Sequence, residues 1–152
     1  MEKIYCALYT DFVHFAQPSE NSLDFLSTRE LLEAGADVNA VNKISKTALI
    51  YAASENHVDC LRVLATARGV DLNKIDIIHN DWNALHYAIL QDNVEAVRTL
   101  VDAGADPHQK DGIGRSPTVI AGDHYKEQVL AFLNKKFKNW TSQSWGFVEK
   151  RK

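Results

Sequence analysis

The chain has few cysteines for its length. Cys6 and Cys60 are the only two among 152 residues, too few for the disulfide framework of a small secreted domain. We expect both to be free, buried thiols in a reducing cytoplasm. Prolines and glycines are also sparse, at three and seven, and no low-complexity linker interrupts the chain. Length and composition, 45% apolar and 24% charged, are those of one ordinary domain.

Long apolar runs are absent as well. No stretch approaches the roughly 18 apolar residues of a membrane-spanning helix, so we expect no membrane association. The short apolar stretch at residues 4–9 is cut off by Asp11, and no small-residue cleavage site follows it. This pattern disfavours a secretory signal peptide. The sequence therefore predicts a cytoplasmic protein.

Neither sign of charge dominates the whole chain, whose net charge is −3, but the charges are unevenly placed. Residues 126–152 hold seven basic and two acidic residues, so the first 125 carry a net charge of −8. An acidic body binds phosphate poorly, which disfavours a nucleic-acid partner. It favours a partner protein with a basic surface.

The chain does have a sequence motif that occurs three times. Gly-Ala-Asp-Val-Asn at residues 35–39 returns as Gly-Val-Asp-Leu-Asn at 69–73 and as Gly-Ala-Asp-Pro-His at 104–108, with glycines 34 and 35 residues apart. A second motif recurs with the same period and begins at Thr47, Asn83 and Ser116. Two motifs that both recur about every 33 residues indicate a stacked repeat.

The residues of both motifs suit the two ends of helices. Thr47, Asn83 and Ser116 are N-cap residues whose side-chain oxygens can accept from a first helical turn, and Pro117 suits the first helical position. The three glycines follow apolar-periodic stretches and suit left-handed C-caps. The core is predicted from leucines and valines at helical spacing, namely Leu49, Leu61, Leu64, Leu85, Val97, Leu100, Leu130 and Leu133.

The pattern resembles the ankyrin repeat, whose unit has a Thr-Pro-Leu-His helix start, an Ala pair, a second helix rich in Val and Leu, and a Gly-Ala-Asp-Val-Asn turn. The copy at residues 83–106 matches best, and the last copy opens with Asp-Gly-Ile-Gly-Arg-Ser-Pro at 111–117. The resemblance implies an all-α ankyrin-repeat solenoid of stacked helix-turn-helix units with protruding finger loops.

We expect about four repeats, the first and last degenerate. Their predicted bounds are 1–39, 40–73, 74–108 and 109–139, and an aromatic and basic tail follows at 140–152. In the first repeat, apolar spacing predicts one helix over residues 1–16 and another from Asn21 or Ser22 to Ala34. In the last, the second helix is predicted from Lys126 to Lys138.

Two departures from the family pattern are visible. Ile50 and Val119 stand where the family has a histidine and where this chain keeps His86, so a polar bond to the adjoining loop is expected to be lost in two repeats. The second finger is two residues longer than the others. Its apolar residues are Ile75, Ile77, Ile78 and Trp82, an unusual set for a loop.

The tail leaves three interpretations open. Trp140, Trp145 and Phe147 lie among Ser, Thr, Gly and Gln residues. They either fold back over the end of the stack, form a recognition tail, or stack on single-stranded nucleic acid. The acidic body argues against the last interpretation.

No residue pattern points to catalysis. The six histidines form no HExxH motif, and the chain has no nucleophile elbow, P-loop or paired-cysteine zinc spacing. His86 and His57 fall on structural histidines of the family. We therefore expect no enzyme activity, no metal, no cofactor and no catalytic residue.

The resemblance implies protein–protein interaction through the concave face and finger loops. Mapped onto this chain, the partner-binding positions are Lys43, Ile44, Lys46, Tyr51, Ser54, Glu55, His79, Asn80, Trp82, Tyr87, Leu90, Gln91, Ile113, Arg115, Asp123 and His124. Trp82 is the first choice for an energetic hot spot, and the alternative is that it packs on Ile77 and Ile78 of its own finger.

The expected function is thus a non-catalytic binding module that is monomeric alone. The alternatives are a dedicated inhibitor or immunity protein that neutralises a toxin or enzyme, and a secreted effector. Nucleic-acid binding through the basic tail, or an enzyme built on the tail and histidines, is less well supported.

Overall fold

The structure, a computed structural model, describes residues 23–42 and 44–137. The predicted helix at 1–16 and the tail aromatics lie outside these residues, so those interpretations stay predictions. Within the described residues there are seven helices and no strand. The helices are α1 (Leu23–Glu33), α2 (Ala48–Ser54), α3 (Val58–Ala65), α4 (Ala84–Leu90), α5 (Val94–Ala103), α6 (Pro117–Asp123) and α7 (Glu127–Lys136).

The helices stack in two layers. In the first layer the short helices α2, α4 and α6 pack side by side, and in the second layer α1 packs on α3, α3 on α5, and α5 on α7. Each first-layer helix also packs on the helix that follows it. The all-α repeat fold expected from the sequence is confirmed. Helix α7 begins and ends within two residues of the bounds predicted for it.

The residues of the second repeated motif lie at the N-termini of the first-layer helices. The Thr47 side chain accepts from Ile50 N, and Asn83 and His86 form a capping box in which each side chain bonds the other's backbone. Ser116 is the N-cap residue of α6 and Pro117 follows it, as predicted, but the expected side-chain bond is absent, because the Ser116 hydroxyl lies 3.0 Å from the Thr118 hydroxyl and makes no cap bond.

The first repeated motif, Gly-Ala-Asp-Val-Asn and its copies, forms turns that join neighbouring repeats. Its Asp accepts the backbone N–H two residues later, as Asp71 does from Asn73 N at 3.0 Å, which tightens the turn. Its Asn reaches the next repeat, since Asn39 Oδ1 accepts from Asp71 N at 2.7 Å and Asn73 Oδ1 accepts from Asp106 N at 2.8 Å. These bonds recur at the repeat period and fix one turn on the next.

The core runs continuously through the stack. Leu61, Leu85, Val97, Leu100 and Leu133 are all fully buried. First-layer helices of seven residues are too short to be stable alone, so their stability comes from packing between neighbours. One position predicted to be core, Leu130, is only partly buried in the last described repeat.

Two further findings bear on the sequence expectations. No helix among residues 23–42 and 44–137 is long and apolar enough to cross a membrane. Cys60 is a buried thiol at 8% exposure, as expected, whereas Cys6 lies outside the described residues.

Candidate functional site

Three loops, here called fingers 1, 2 and 3, precede the first-layer helices at residues 42–46, 76–82 and 111–115. Each is closed by a backbone N–H that bonds the carbonyl of the residue just before the helix cap. The pairs are Asn42 N with Lys46 O at 3.0 Å, Asp76 N with Trp82 O at 2.8 Å, and Asp111 N with Arg115 O at 3.0 Å.

Finger 2 holds its two extra residues at the tip. Five residues separate Asp76 from Trp82, whereas three separate Asp111 from Arg115. The longer tip turns through Asn80 and Asp81, which both adopt left-handed backbone angles, with φ of 56° and 53°. Asn and Asp tolerate this conformation better than other side chains, so the local sequence suits the turn.

The buried carboxylate of Asp76 organises finger 2. Its Oδ1 accepts from the backbone N–H groups of Ile78 at 3.0 Å and His79 at 3.3 Å. Its Oδ2 accepts from the Tyr87 hydroxyl at 2.9 Å and lies 2.8 Å from His79 Nδ1. Burial acts to raise the pKa of Asp76, but these hydrogen bonds and His79 outweigh it, and the pKa is lowered. Asp76 therefore stays ionised and holds the tip to α4.

Asp111 has the same role in finger 3. Its Oδ1 accepts from the backbone N–H of Arg115 at 2.8 Å and of Ile113 at 3.2 Å, and its Oδ2 accepts from Arg115 Nε at 2.9 Å. Although burial acts to raise the pKa of Asp111, the hydrogen bonds lower it overall. Arg115 also approaches Asp123 at 3.8 Å, which links the finger to the end of α6.

Trp82 and Tyr87 are buried, so the expectation that they are exposed for binding is wrong. Each side chain is 8% exposed. Their rings meet edge to face with centroids 5.3 Å apart, and Lys46 Nζ of finger 1 lies 4.4 Å above the Tyr87 ring. The Trp82 ring also lies near His86, with ring centroids 6.3 Å apart, while Ile77 and Ile78 are exposed. The alternative that Trp82 packs on these two isoleucines stays a prediction.

The fingertips carry the exposed apolar surface. Five large apolar side chains of the described residues are exposed, and four of them are isoleucines at the tips. These fingertip isoleucines are Ile44 at 45% exposure, Ile77 at 69%, Ile78 at 55% and Ile113 at 67%. The fifth is Tyr125, at 87%, in the turn between α6 and α7.

The other predicted binding positions fall into two groups. Exposed are Glu55, His79, Asn80, Gln91, Asp123 and His124. Partly buried are Lys46, Tyr51, Ser54, Leu90 and Arg115. Lys43 lies outside the described residues. Sequence reasoning missed the organising roles of Asp76 and Asp111, which aligned finger with finger stand at one repeat position, as Asn42 does.

Histidine chemistry at the site is structural. His86 Nδ1 accepts from Asn83 N at 3.0 Å, and its Nε2 lies 3.0 Å from the Gln109 carbonyl oxygen. Burial lowers the pKa of His86, so the ring is neutral in the folded protein. Among residues 23–42 and 44–137, no group of three His, Cys, Asp or Glu side chains is placed to hold a metal ion.

The chain belongs to the ankyrin-repeat family. The model of that family, described as ankyrin repeats, matches residues 14–111 in three copies. The ankyrin-repeat fold is a non-catalytic interaction fold, and its members are generally protein-interaction modules. The helix pair α6 and α7 follows the matched segment.

Curated relatives match between 69% and 84% of the chain. The chain is 29% identical over 140 residues to a mitochondrial disaggregase of Bos taurus. This match covers 70% of the chain and 21% of that protein. It is 33% identical over 134 residues to an intracellular phospholipase A2 of Caenorhabditis elegans. This match covers 84% of the chain and 12% of that protein. It is 38% identical over 107 residues to a putative palmitoyltransferase ZDHHC13 of Danio rerio, covering 69% and 16%. The chain thus spans about a fifth or less of these relatives, whose names describe much longer proteins.

Proposed function

We propose that this chain is a non-catalytic module that binds a partner protein through its fingertips and the exposed surface of its first-layer helices. The fingertip isoleucines carry the proposal, because large apolar side chains exposed together mark interaction sites in soluble proteins. Isolated exposed apolar residues need no such explanation, but these recur on all three fingers.

The fingers are held in place before any partner arrives, which supports binding. Asp76 and Asp111 fix the finger backbones, and Gly112 N donates to Asn80 O at 2.7 Å between fingers 2 and 3. A loop that is already ordered loses less conformational freedom on binding. The oxygens of both carboxylates are engaged by donors of the fingers and α4, which favours a structural role for them over acid–base chemistry.

Finer properties belong to the same proposal. The excess of acidic residues in the body favours a basic partner. We also propose that the module acts in the cytoplasm and is monomeric without its partner. A dedicated inhibitor of one toxin or enzyme is a narrower form of this function and requires sub-nanomolar affinity for a single target.

Affinity capture from the native cell extract tests the proposal. The bait is the wild-type chain, and the test variant combines Ile77→Ser with Ile113→Ser, which changes exposed side chains outside the core. Tyr125→Ser is the control, since it removes an even more exposed apolar side chain away from the fingers. We expect one dominant protein to bind the wild type and the control and to be lost with the double variant.

Other results would contradict parts of the proposal. A partner retained by the double variant would place the binding site away from the fingertips. Capture of no protein by the wild type would contradict the binding function itself. Several weak partners in place of one would contradict the inhibitor form alone.

A further inference from the structure

The fingertip isoleucines form a row at the repeat period. Ile44, Ile78 and Ile113 are 34 and 35 residues apart in sequence, one on each successive finger. Neighbouring packed helices lie about 8–10 Å apart, and each finger leads into one first-layer helix. Fingers 2 and 3 touch through the bond from Gly112 N to Asn80 O. Since each finger leads into its own helix, the tips are expected to repeat at the helix spacing of about 8–10 Å.

This spacing matches one face of an α-helix. Residues seven positions apart in a helix lie about 10.5 Å apart along its axis and on nearly the same face. An extended strand presents a residue on one face about every 6.6–6.8 Å, which does not match the row. Apolar residues at i, i+7 and i+14, with their i+3 and i+4 neighbours, would meet the three tips in turn.

The opposite ends of two first-layer helices are acidic, whereas the neutral Gln91 follows α4. Glu55 follows α2 and Asp123 ends α6, and both are exposed, with Arg115 Nη1 3.8 Å from Asp123. Nearby in the second layer, the side chains of Asp59 and Glu95 are 75% and 62% exposed, and Arg62 pairs with both. The first-layer helices have seven residues each, so tips and acidic ends are separated by about 10 Å of helix, similar to the diameter of an α-helix.

We infer that the occupant of this surface is a basic amphipathic α-helix of the partner protein, about 15–20 residues long. Its apolar stripe packs on the fingertip isoleucines, and its Lys or Arg side chains face Glu55 and Asp123. Charge complementarity selects this occupant, because the first 125 residues carry a net charge of −8. The inference rests on the proposed function and adds the chemistry of the partner.

A synthetic peptide tests the inference without knowledge of the natural partner. The probe is a fluorescein-labelled peptide of about 18 residues, with Leu at i, i+3, i+4 and i+7 spacing and Lys elsewhere. One control peptide has the same composition in strict Leu–Lys alternation, which removes the helical stripe. A second control replaces every Lys with Glu. Fluorescence anisotropy with the full chain is expected to show binding of the first peptide only.

Variants of the chain locate the peptide on the surface. Ile78→Ser with Ile113→Ser, which changes two members of the row, is expected to weaken binding about tenfold or more, whereas Tyr125→Ser leaves it unchanged. Glu55→Gln with Asp123→Asn is expected to weaken binding at low salt and to flatten its salt dependence. Glu30→Gln, at an exposed position of α1, is the matched charge control.

The outcomes separate this inference from the proposed function. Equal binding of the alternating or acidic peptide, or unchanged affinity in the isoleucine variant, overturns the inference. If the chain binds no helical peptide but still loses its cellular partner in the isoleucine variant, the inference fails and the proposed function stands. If the cellular partner is unaffected as well, both fail.

Discussion

Trp82 Nε1 donates to Asp111 Oδ2 across 3.3 Å, so the last residue of finger 2 is bonded to the first residue of finger 3. Trp82 stands at the repeat position of Arg115, which bonds the same oxygen from within finger 3. An indole cannot pair with Asp76 as Arg115 pairs with Asp111. Tyr87 and His79 serve Asp76 instead, and this frees Trp82 to reach the next finger.

Trp82→Ala is therefore expected to destabilise the fold strongly, by about 3–5 kcal/mol, because it removes a buried ring and leaves Asp111 without one donor. Leu85→Ala, at a fully buried position of α4, is expected to cost about 2–5 kcal/mol. Urea unfolding followed by circular dichroism measures both changes.

Trp82→Phe and Ile77→Ala are the controls for this prediction. Phenylalanine keeps a ring against Tyr87 but loses the bond to Asp111, so the loss of stability should be intermediate. Ile77 is exposed, and its truncation should change the free energy of unfolding by less than about 0.5 kcal/mol. An unfolding midpoint of Trp82→Ala close to that of the wild type would show that the finger contacts carry little energy.

The repeat and its helices could be predicted from the sequence because their causes are local and periodic. The N-caps Thr47 and Asn83 and the capping histidine His86 depend on neighbours three residues away. The burial of Trp82 could not be predicted in this way, because it depends on Asp111, which is 29 residues distant. The Ser116 cap failed because a hydroxyl two residues later, on Thr118, competes for its side chain.

The surface was partly predictable for the same reason. Ile44 and Ile113 were expected to be exposed because they occupy finger positions, and both are. The roles of Asp76 and Asp111 emerge only when the fingers are superimposed. Finger 2 has two extra residues between Asp76 and Trp82. In the sequence these conceal that Asp76 stands at the same repeat position as Asp111.

Stability should fall with acid below neutral pH because of His86. Its folded pKa lies below the ordinary value of 6.5, so between the two values the unfolded chain binds the extra proton. The stability contributed by the neutral ring is fully present above pH 6.5 and is lost as pH falls through the folded pKa. Protonation would also remove the acceptor that Nδ1 offers to Asn83 N. Urea unfolding at a series of pH values between 7.5 and 5 measures this slope.

His86→Gln removes the titrating group and serves as the comparison. The variant is less stable at pH 7.5, but its free energy of unfolding should change less between pH 7.5 and 5 than that of the wild type. Equal slopes for the wild type and His86→Gln would show that another group controls the acid sensitivity.

Tyr87→Phe tests the hydrogen bonding of Asp76. Burial and the bond to Asp76 raise the pKa of the Tyr87 hydroxyl, so it remains a donor at all ordinary pH values. Its removal should cost about 1–3 kcal/mol at neutral pH, because a buried carboxylate loses a donor. Tyr51→Phe is the matched control, at the same repeat position of α2.

The same variant makes a prediction about acid. Because the folded pKa of Asp76 lies below 3.8, its contribution to stability is present above pH 3.8 and is lost as pH falls through the folded pKa. Without the Tyr87 hydroxyl this pKa rises towards the ordinary value, and acid unfolding should begin at a higher pH. A titration monitored by circular dichroism that places wild type and Tyr87→Phe at the same midpoint would contradict this account.

Substitution of two glycines distinguishes the effect of close packing from the effect of backbone conformational freedom. A Cβ at Gly112 would lie 3.0 Å from Asp81 Oδ2 and 3.2 Å from the Asn80 carbonyl carbon and oxygen, so Gly112→Ala requires finger 2 to give by a few tenths of an ångström. We expect a loss of about 1–3 kcal/mol in thermal or urea unfolding. Gly122 lies in α6 with no atom within 4 Å of an added Cβ, so Gly122→Ala should stabilise the chain by about 0.5–1 kcal/mol. If Gly112→Ala is as stable as the wild type or more stable, the contact between fingers 2 and 3 does not limit residue 112.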